Sequence, residues 1–142
     1  MKRVLALCLV LVTVMALSGC SRKTQIKQEI FNLVKANYDQ IVAACETGDP
    51  ETLKGIDGIK DVYILDGYIN VYCQGAGIVP SSQYYGFYYS QENKPVAMFD
   101  NYIICETDAL TPEGSGFQYV EDYNVFYTEH IKGSLYFYSA SF

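Results

Sequence analysis

The side chains that could perform acid–base or nucleophilic chemistry are few and lie far apart in the sequence. His130 is the single histidine, and Glu129 stands beside it. Neighbouring residues of a strand point to opposite faces of a sheet, so this pair does not predict an oriented catalytic dyad. Ser81 and Ser82 lie outside any Gly-x-Ser-x-Gly pattern of a nucleophile elbow. The sequence therefore names no catalytic residue, and it favours a surface or turn role for His130.

The patterns that would hold a metal or a phosphate are incomplete. The spacing of Asp57, Asp61 and Asp66 differs from that of an EF-hand loop, which favours turn and strand-end roles for them. One histidine and a few dispersed cysteines do not give the ligand spacing of a zinc site. The run QGAG at 74–77 lacks the further residues of a phosphate-binding loop, and its glycines favour a bulge or turn. We therefore predict no metal and no cofactor.

The N-terminus carries the pattern of an export signal. Lys2 and Arg3 precede an almost wholly apolar stretch over residues 4–17, which is shorter than the roughly 20 residues of a membrane-spanning helix. The run LSGC at 17–20 follows and resembles the lipobox of bacterial lipoproteins. The resemblance implies that residues 1–19 are a signal peptide and that Cys20 carries a diacylglyceryl group. The alternative is an uncleaved N-terminal membrane anchor.

Lipidation at Cys20 would determine where the protein is found and which membrane contact it makes. The resemblance implies export, with the protein lipid-anchored to the cell membrane and facing outward. Ser21 is compatible with sorting to an outer membrane if the cell has one. A single acyl chain binds a membrane only marginally, whereas two chains anchor stably. We expect residues 20–23 to form the lipid anchor with a short linker, and residues 24–142 to form a single domain.

The charge and the aromatic content limit the classes of partner. The chain has a formal charge of −6, and loss of Lys2 and Arg3 with the signal peptide takes it to −8. Such an acidic surface argues against a nucleic acid as partner. The chain contains 14 Tyr and 7 Phe and lacks Trp, and aromatic residues favour strands. The composition therefore predicts a sheet-rich domain that binds neither DNA nor RNA.

Three of the five cysteines remain after cleavage and lipidation, namely Cys45, Cys73 and Cys105. An exported protein can form disulfides, and three thiols allow at most one internal bridge. Cys73 and Cys105 both fall in apolar, strand-like runs, so they form the first candidate pair. The alternative is that all three are small buried apolar residues.

Periodicity divides the domain into a helical part and a strand part. Apolar residues recur at three- and four-residue spacings over 24–47, which predicts one long amphipathic helix that ends at Gly48. Asp49 and Pro50 then have the types of an N-cap and first helical residue, and predict a short helix to about Gly55. Strands are predicted at 61–65, 68–74, 83–90, 96–99, 117–120, 123–130 and 135–138, and 102–105 either continues the strand at 96–99 after a bend or forms a separate strand. The dipeptide at 66–67, Asp-Gly, predicts a hairpin turn, and 107–116 is predicted to be irregular.

Short connections leave little room for parallel crossovers. We therefore predict an α+β fold, with the long N-terminal amphipathic helix packed on an antiparallel β-meander of about six or seven strands. The predicted core consists of Ile30, Leu33, Val34, Ile41, Val62, Ile64, Val71, Phe87, Ile104, Phe126 and Phe137.

The block around Gly86 carries the main indication of binding. In a strand, Tyr85 and Tyr89 point to one face and Tyr84 and Tyr88 to the other. Gly86 leaves a gap between two rings, where backbone or a ligand can approach. Tyrosine combines apolar area with a hydrogen-bonding tip, which suits recognition of a peptide, protein or glycan. The four tyrosines are therefore a candidate binding face, and the alternative is ordinary aromatic packing across the sheet.

The exported domain also resembles small uncharacterised lipoproteins of gut-type Firmicutes, through the runs VYCQGAG at 71–77 and TEHIKG at 128–133. This resemblance implies a cell-surface location and no particular activity. Our first hypothesis is a non-enzymatic binding or interaction module. The alternatives are a secreted enzyme whose site is assembled from scattered residues, and an inhibitor or immunity-type protein whose acidic charge aids association with its partner.

Overall fold

The computed structural model describes residues 22–78, 81–99, 102–105 and 107–142. Within these ranges, three α-helices precede nine strands, which confirms the α+β class. The helices are α1 (22–36), α2 (Tyr38–Thr47) and α3 (Pro50–Lys54). The strands are β1 (Asp61–Leu65), β2 (Tyr68–Ile78), β3 (Ser81–Ser90), β4 (Ala97–Phe99), β5 (Tyr102–Cys105), β6 (Thr111–Glu113), β7 (Gly116–Glu121), β8 (Asn124–Lys132) and β9 (Leu135–Ser141), with a 3₁₀ turn at Thr107–Ala109. The predicted linker 20–23 is already helical at residues 22 and 23.

The helix predicted over 24–47 is two helices rather than one. The chain turns at Asn37, whose φ of −114° and ψ of 20° leave the helical region. The Asn37 side chain donates a hydrogen bond to the Leu33 carbonyl at 2.9 Å, and the Asn37 backbone N–H donates to the same carbonyl. Asparagine competes in this way with regular helix geometry. The apolar spacing continues across the break, which is why the sequence predicts a single helix.

The predicted helix ends are confirmed at the two later helices. Gly48 closes α2 in the left-handed conformation, with a φ of 64°, and its N–H bonds the carbonyls of Ala44 and Cys45. Asp49 caps α3 by accepting hydrogen bonds from the backbone N–H groups at positions 51 and 52, both at 3.1 Å. Pro50 occupies the first position of α3. These local signals set the sharp turn that leads the chain into the sheet.

Seven strands form one antiparallel sheet in the order β1-β2-β3-β9-β8-β7-β6, and β4 pairs with β5 separately. The predicted simple meander is therefore wrong in its connectivity. Two meanders meet where β3 lies beside β9, because the last strand returns to the middle of the sheet. The segment 107–116 also contributes the short strand β6, which pairs with β7. The Asp66-Gly67 hairpin forms as predicted, with Leu65 opposite Tyr68.

The glycines at 75 and 77 lie within β2 rather than in the bulge or turn that the sequence favours. Their Cα partners in β3 are Tyr84 and Ser82. The irregularity falls earlier in the strand, where the register shifts between Tyr72 and Gln74. An extra residue at that point is a β-bulge, which bends the strand and increases its twist.

The two faces of the sheet are buried by different parts of the chain. The helices cover the face that carries Val71, Phe87 and Phe137. The opposite face carries Tyr88 and Phe126, which cluster with Val96, Ala97, Met98 and Leu110 of the segment between β3 and β6. Alternate residues of β3 and β9 therefore belong to different clusters, as the two-residue period of a strand requires.

The predicted core is largely confirmed, with exceptions at its margins. Ile64 is 57% exposed because it lies on the edge strand β1, beside a groove lined by the C-terminal end of α2. Leu33 and Ile104 are only partly buried. The remaining eight predicted residues are buried, namely Ile30, Val34, Ile41, Val62, Val71, Phe87, Phe126 and Phe137.

An ion pair ties α1 to the sheet. The Lys27 ammonium donates to Glu129 on β8, and the Tyr127 hydroxyl donates to the same carboxylate oxygen at 2.5 Å. Burial acts to raise the pKa of Glu129, but the hydrogen bonds from Lys27 and Tyr127 outweigh it and hold the pKa below its usual value. The charged form of Glu129 therefore stabilises the folded state.

We expect Glu129→Gln to lower the free energy of unfolding by about 1 kcal/mol at pH 7. A lowered carboxylate pKa contributes stability that is present above about pH 4 and is lost as the pH falls through the folded-state value. Urea unfolding at pH 7 and at pH 3 measures both effects. The difference between wild type and variant should shrink at pH 3, and an unchanged difference would contradict the assignment.

Candidate functional site

An aromatic cavity opens on the face of the sheet that points away from the helices. Its volume is about 280 Å³. We call it the tyrosine cavity, and its lining residues are Tyr63, Asn70, Tyr72, Tyr84, Met98, Tyr138, Ala140 and Phe142. Five of these eight side chains are aromatic. The site therefore offers a mostly apolar wall with a few hydrogen-bonding tips, which is the usual composition of a small-molecule site.

Strand pairing brings these residues together from distant parts of the sequence. Tyr72 of β2 and Tyr84 of β3 lie on neighbouring strands, and Ala140 of β9 is the Cα partner of Tyr84. Phe142 follows β9 and is positioned by a backbone hydrogen bond from its N–H to the Ser82 carbonyl, at 3.0 Å. The cavity therefore joins the first half of the sheet to the end of the chain.

The rings at the cavity are arranged as inclined walls. The Tyr72 and Tyr84 centroids are 6.0 Å apart, with an angle of 56° between the ring planes. The Tyr84 and Phe142 centroids are 5.5 Å apart at 71°, an edge-to-face arrangement. Tyr84 is shared by both contacts and is 37% exposed. Because the planes of neighbouring rings meet at large angles, the rings form corners rather than a flat stack.

Three phenols of the cavity, those of Tyr63, Tyr72 and Tyr138, are held in their neutral form. The hydrogen bond from the Tyr63 hydroxyl to the Asp61 carboxylate, 3.0 Å long, raises the pKa of Tyr63, and burial adds to the effect. Burial raises the pKa of Tyr72 and that of Tyr138. Neutral phenols can donate and accept hydrogen bonds but are weak bases, so these groups suit recognition better than proton abstraction.

The structure divides the four tyrosines predicted as one binding face. Tyr84 lines the cavity, whereas Tyr88, on the same side of β3, is fully buried. Tyr85 is 3% exposed and packs under the helices with the partly buried Tyr89. The four-residue face is therefore corrected to Tyr84 alone, because alternation along the strand and the cover on each face separate the others.

The gap that the sequence predicts at Gly86 is filled by atoms of neighbouring strands. A Cβ at this position would lie 2.0 Å from the Val71 carbonyl oxygen and 2.8 Å from a ring carbon of Tyr138. Tyr138 is the Cα partner of Gly86 across the β3–β9 pair. The ring of Tyr138 therefore lies over the glycine and forms part of the cavity wall.

His130 has the turn role expected from the sequence. Its Nε2 lies 2.7 Å from the Gly133 carbonyl oxygen, and its ring packs edge-to-face on Tyr136 at 5.1 Å. The neighbouring Glu129 points to the helix side, where it pairs with Lys27. The two side chains therefore point to opposite sides of β8.

The candidate bridge between Cys73 and Cys105 is not formed, because Cys73 is a free, buried thiol in the cluster beneath the helices. The side chain of Cys105 lies outside the described residues. Cys45 is also free and buried, as the alternative prediction for the thiols requires.

We expect Cys45 and Cys73 to resist alkylation in the folded protein. Burial raises the pKa of each thiol to about 12, with nearby Glu46 adding to the effect at Cys45 and Lys60 opposing it at Cys73. The reactive thiolate is therefore scarce at neutral pH. Mass spectrometry after iodoacetamide treatment should find both unlabelled in buffer and labelled in urea. Labelling of either in buffer would contradict this burial.

Of the aspartates weighed as metal ligands, Asp57 and Asp66 lie in turns and Asp61 begins β1. Asp61 accepts a hydrogen bond from the Val62 N–H at 2.9 Å and lies 3.6 Å from the Lys54 ammonium. Across the described ranges, no group of three or more His, Cys, Asp or Glu side chains is placed to hold a metal ion.

The proposed lipidation site Cys20 and the signal segment 1–19 lie outside the described residues.

The sequence indicates Tyr84 but misses the other residues of the cavity. Asn70 and Tyr72 are two residues apart in β2, as are Tyr138 and Ala140 in β9. This spacing shows that the members of each pair point to the same face of the sheet. It does not show that the two strands lie on either side of β3, which is the information that defines the cavity.

Comparisons with known proteins give no relative for this chain. No protein-family model matches it, and the curated proteins and solved structures searched contain no match. Within the part of the chain that the structure describes, no helix is both long enough and apolar enough to cross a membrane.

Proposed function

We propose that this protein is an exported, lipid-anchored surface protein that binds a small ligand, or an exposed group of a larger partner, in the tyrosine cavity. The observation that carries the binding function is the cavity itself, with five aromatic rings around about 280 Å³. The location rests on the LSGC run at 17–20, which resembles a lipobox. Neither part depends on the other.

The size and lining of the cavity define what it can hold. Ligand sites have volumes of about 300–1,000 Å³, so this cavity, at about 280 Å³, lies just below the range. It suits one side chain of a peptide or protein, one sugar unit of a glycan, or a small metabolite. Aromatic rings supply contact area with little loss of side-chain freedom, and phenol hydroxyls supply orientation.

Binding is favoured over catalysis by the chemistry of the lining groups. The polar lining consists of tyrosine phenols and the Asn70 amide, and the remaining groups are apolar. The phenols of Tyr63, Tyr72 and Tyr138 have raised pKa values, so the phenolate that could accept a proton is scarce at neutral pH. Catalysis at such a site would need titratable groups tuned toward neutral pH.

Substitution of Tyr84 tests the binding site. Tyr84 is partly exposed, so Tyr84→Ala opens the cavity without emptying the core. Tyr123, which is 94% exposed and lies outside the cavity lining, provides the matched control Tyr123→Ala. We expect ligand-observed NMR with a fixed set of small amines, sugars and aromatic acids to detect binding that Tyr84→Ala removes and Tyr123→Ala retains. Binding that survives Tyr84→Ala would place the site elsewhere.

Substitution of Cys20 tests the anchor. We expect the wild type to sediment with membranes and to incorporate labelled fatty acid, because attachment through two or more acyl chains is stable. Cys20→Ser should lose the label and keep the unprocessed mass. Cys45→Ser provides a control, since that thiol is buried in the folded domain. A Cys20→Ser variant that fractionates and migrates like the wild type would refute lipidation.

A further inference from the structure

The walls of the tyrosine cavity favour one chemical class of ligand. We propose that the cavity binds an alkylated ammonium cation, either a free quaternary amine or the same group on a headgroup, an inference that rests on the proposed binding function. An aromatic ring attracts a cation placed over its face within about 6 Å of the centroid. Several rings that surround one small volume therefore select positive charge.

The ring geometry provides a corner in which one cation can meet more than one ring. Tyr84 stands between Tyr72 and Phe142, with centroid separations of 6.0 and 5.5 Å and interplanar angles of 56° and 71°. All three rings line the same cavity, so a group of a few ångströms bound there can contact more than one of them. Tyr63 and Tyr138 add two further aromatic walls.

The net charge of the protein also favours a cation. The eight lining side chains are Tyr, Phe, Asn, Met and Ala, so no Asp, Glu, Lys, Arg or His lines the cavity. The Asp61 carboxylate accepts the hydrogen bond from Tyr63, but the Lys54 ammonium lies 3.6 Å from the same carboxylate and balances its charge. The chain as a whole carries a formal charge of −6, and an acidic protein attracts positive ligands.

One cation–aromatic contact already exists at this wall. The Lys60 ammonium lies 5.7 Å from the Tyr72 centroid. Lys60 is exposed and does not line the cavity. A ring of this wall therefore interacts with a cation in the folded protein, while the Lys60 charge repels a second cation near Tyr72 and favours binding against the other rings.

The degree of alkylation follows from the lack of a carboxylate in the lining, whose hydrogen-bond acceptors are phenol and amide oxygens. A primary ammonium has three N–H donors and is strongly hydrated, so it needs a charged partner as well as hydrogen bonds when it leaves water. An alkylated ammonium has few or no donors and presents methyl groups to the rings. The mostly aromatic lining therefore suits a quaternary or heavily methylated amine, as in the aromatic cages that bind such ligands.

Choline and its uncharged analogue 3,3-dimethyl-1-butanol test the inference, because they share a shape and differ in charge. Calorimetric titration of the full chain in maltoside micelles should show choline binding at least about fivefold more tightly than the alcohol. Equal binding of both would overturn the inference and leave the cavity as a binding site. Binding of neither would overturn it too, and the NMR set with Tyr84→Ala then decides the proposed function separately.

Phosphocholine distinguishes the two sources of the ammonium group. Binding of phosphocholine comparable to that of choline supports a headgroup as the natural source. Binding of choline with exclusion of phosphocholine supports a free amine, because the phosphate would then be rejected by the acidic protein. Both outcomes support an alkylated ammonium ligand.

Two substitutions of Tyr84 separate the ring from its hydroxyl. Tyr84→Phe keeps an aromatic face and should bind choline within about twofold of wild type, whereas Tyr84→Leu removes the face and should weaken binding about fivefold. Thermal unfolding of both variants verifies that the domain remains folded. Equal losses in the two variants would assign recognition to the hydroxyl and overturn the cation–aromatic mechanism.

Discussion

Replacement of Tyr88 by alanine is expected to lower the free energy of unfolding by about 4 kcal/mol. The Tyr88 side chain is fully buried and stacks on Tyr136, with ring centroids 5.3 Å apart and planes 11° from parallel. Its hydroxyl lies 2.8 Å from the Thr128 hydroxyl and accepts a hydrogen bond from the Val96 N–H at 3.1 Å. The alanine variant would lose the packing of the ring and leave both partners in a cavity, and truncation of a large buried aromatic residue costs about 3–5 kcal/mol.

Urea unfolding followed by circular dichroism measures this effect. Tyr88→Phe should be destabilised by a smaller amount, about 1–3 kcal/mol, because it keeps the ring and removes only the hydroxyl. The exposed Tyr123→Ala should stay within about 0.5 kcal/mol of wild type. A Tyr88→Ala variant with the unfolding midpoint of the wild type would show that this ring does not pack as described.

The burial of Tyr88 also determines which tyrosines can test binding. Tyr88 is absent from the residues that line the tyrosine cavity, whereas Tyr84, on the same side of β3, lines it. Loss of binding in a Tyr88 variant would therefore report unfolding rather than a lost ligand contact. Tyr84 is the better choice, because its removal leaves most of the aromatic cluster around Phe126 and Tyr136 in place.

Local features of the fold could be predicted because a few adjacent residues determine them. Gly48 adopts a positive φ that favours glycine, and Asp49 and Pro50 combine a side-chain cap with a proline where no helical N–H is needed. Asp66-Gly67 joins β1 to β2, and the five residues of β1 pair one to one with residues 68–72. In each case the chemistry of two or three neighbouring residues is enough to select the backbone conformation.

The order of the strands could not be predicted because it depends on long-range pairing. β3 ends at Ser90 and pairs with β9, which begins at Leu135. Nothing in either strand's own alternation names its neighbour, since both strands are apolar on two faces. The segment between them covers one face through Ala97 and Met98. That cover explains why β9 can be apolar on both faces. The sequence alone does not predict the cover, because it forms only when the sheet is assembled.

The tyrosine cavity depends on the same long-range information. Tyr84 is suggested by the aromatic run in β3, but Tyr63, Tyr138 and Phe142 come from two other parts of the sequence. A single aromatic residue on a sheet surface is common, whereas five aromatic residues that line one cavity are not. The concavity arises where β1, β2, β3 and β9 lie side by side, so the site follows from the topology rather than from a motif.

Gly86→Ala is expected to lower the free energy of unfolding by about 3 kcal/mol. The added Cβ would lie 2.0 Å from the Val71 carbonyl oxygen on the neighbouring strand and 2.9 Å from the Tyr138 hydroxyl. The carbonyl belongs to the backbone of β2, just before the bulge, so the strands must separate to relieve the overlap. Overpacking of this kind costs about 1–3 kcal/mol and more when backbone must move.

A matched substitution in a helix cap separates this clash from the general effect of adding a methyl group. Gly55 has a φ of −72°, and a Cβ there would make an ordinary contact 3.4 Å from the Thr52 carbonyl oxygen. Gly55→Ala should therefore be neutral or slightly stabilising, because alanine restricts the unfolded chain. Urea unfolding compares the two variants directly, and similar midpoints for both would contradict the close packing at Gly86.

Gly86 links the stability of the sheet to the shape of the tyrosine cavity. If β3 and β2 absorb the new methyl group by moving apart, Tyr72 moves with β2; if the Tyr138 ring moves instead, it is displaced from the cavity wall. Either route changes a wall that the proposed ligand would touch. Gly86→Ala should therefore weaken choline binding even at temperatures where the variant is fully folded. Gly55→Ala should bind choline like the wild type, because α3 lies outside the cavity lining.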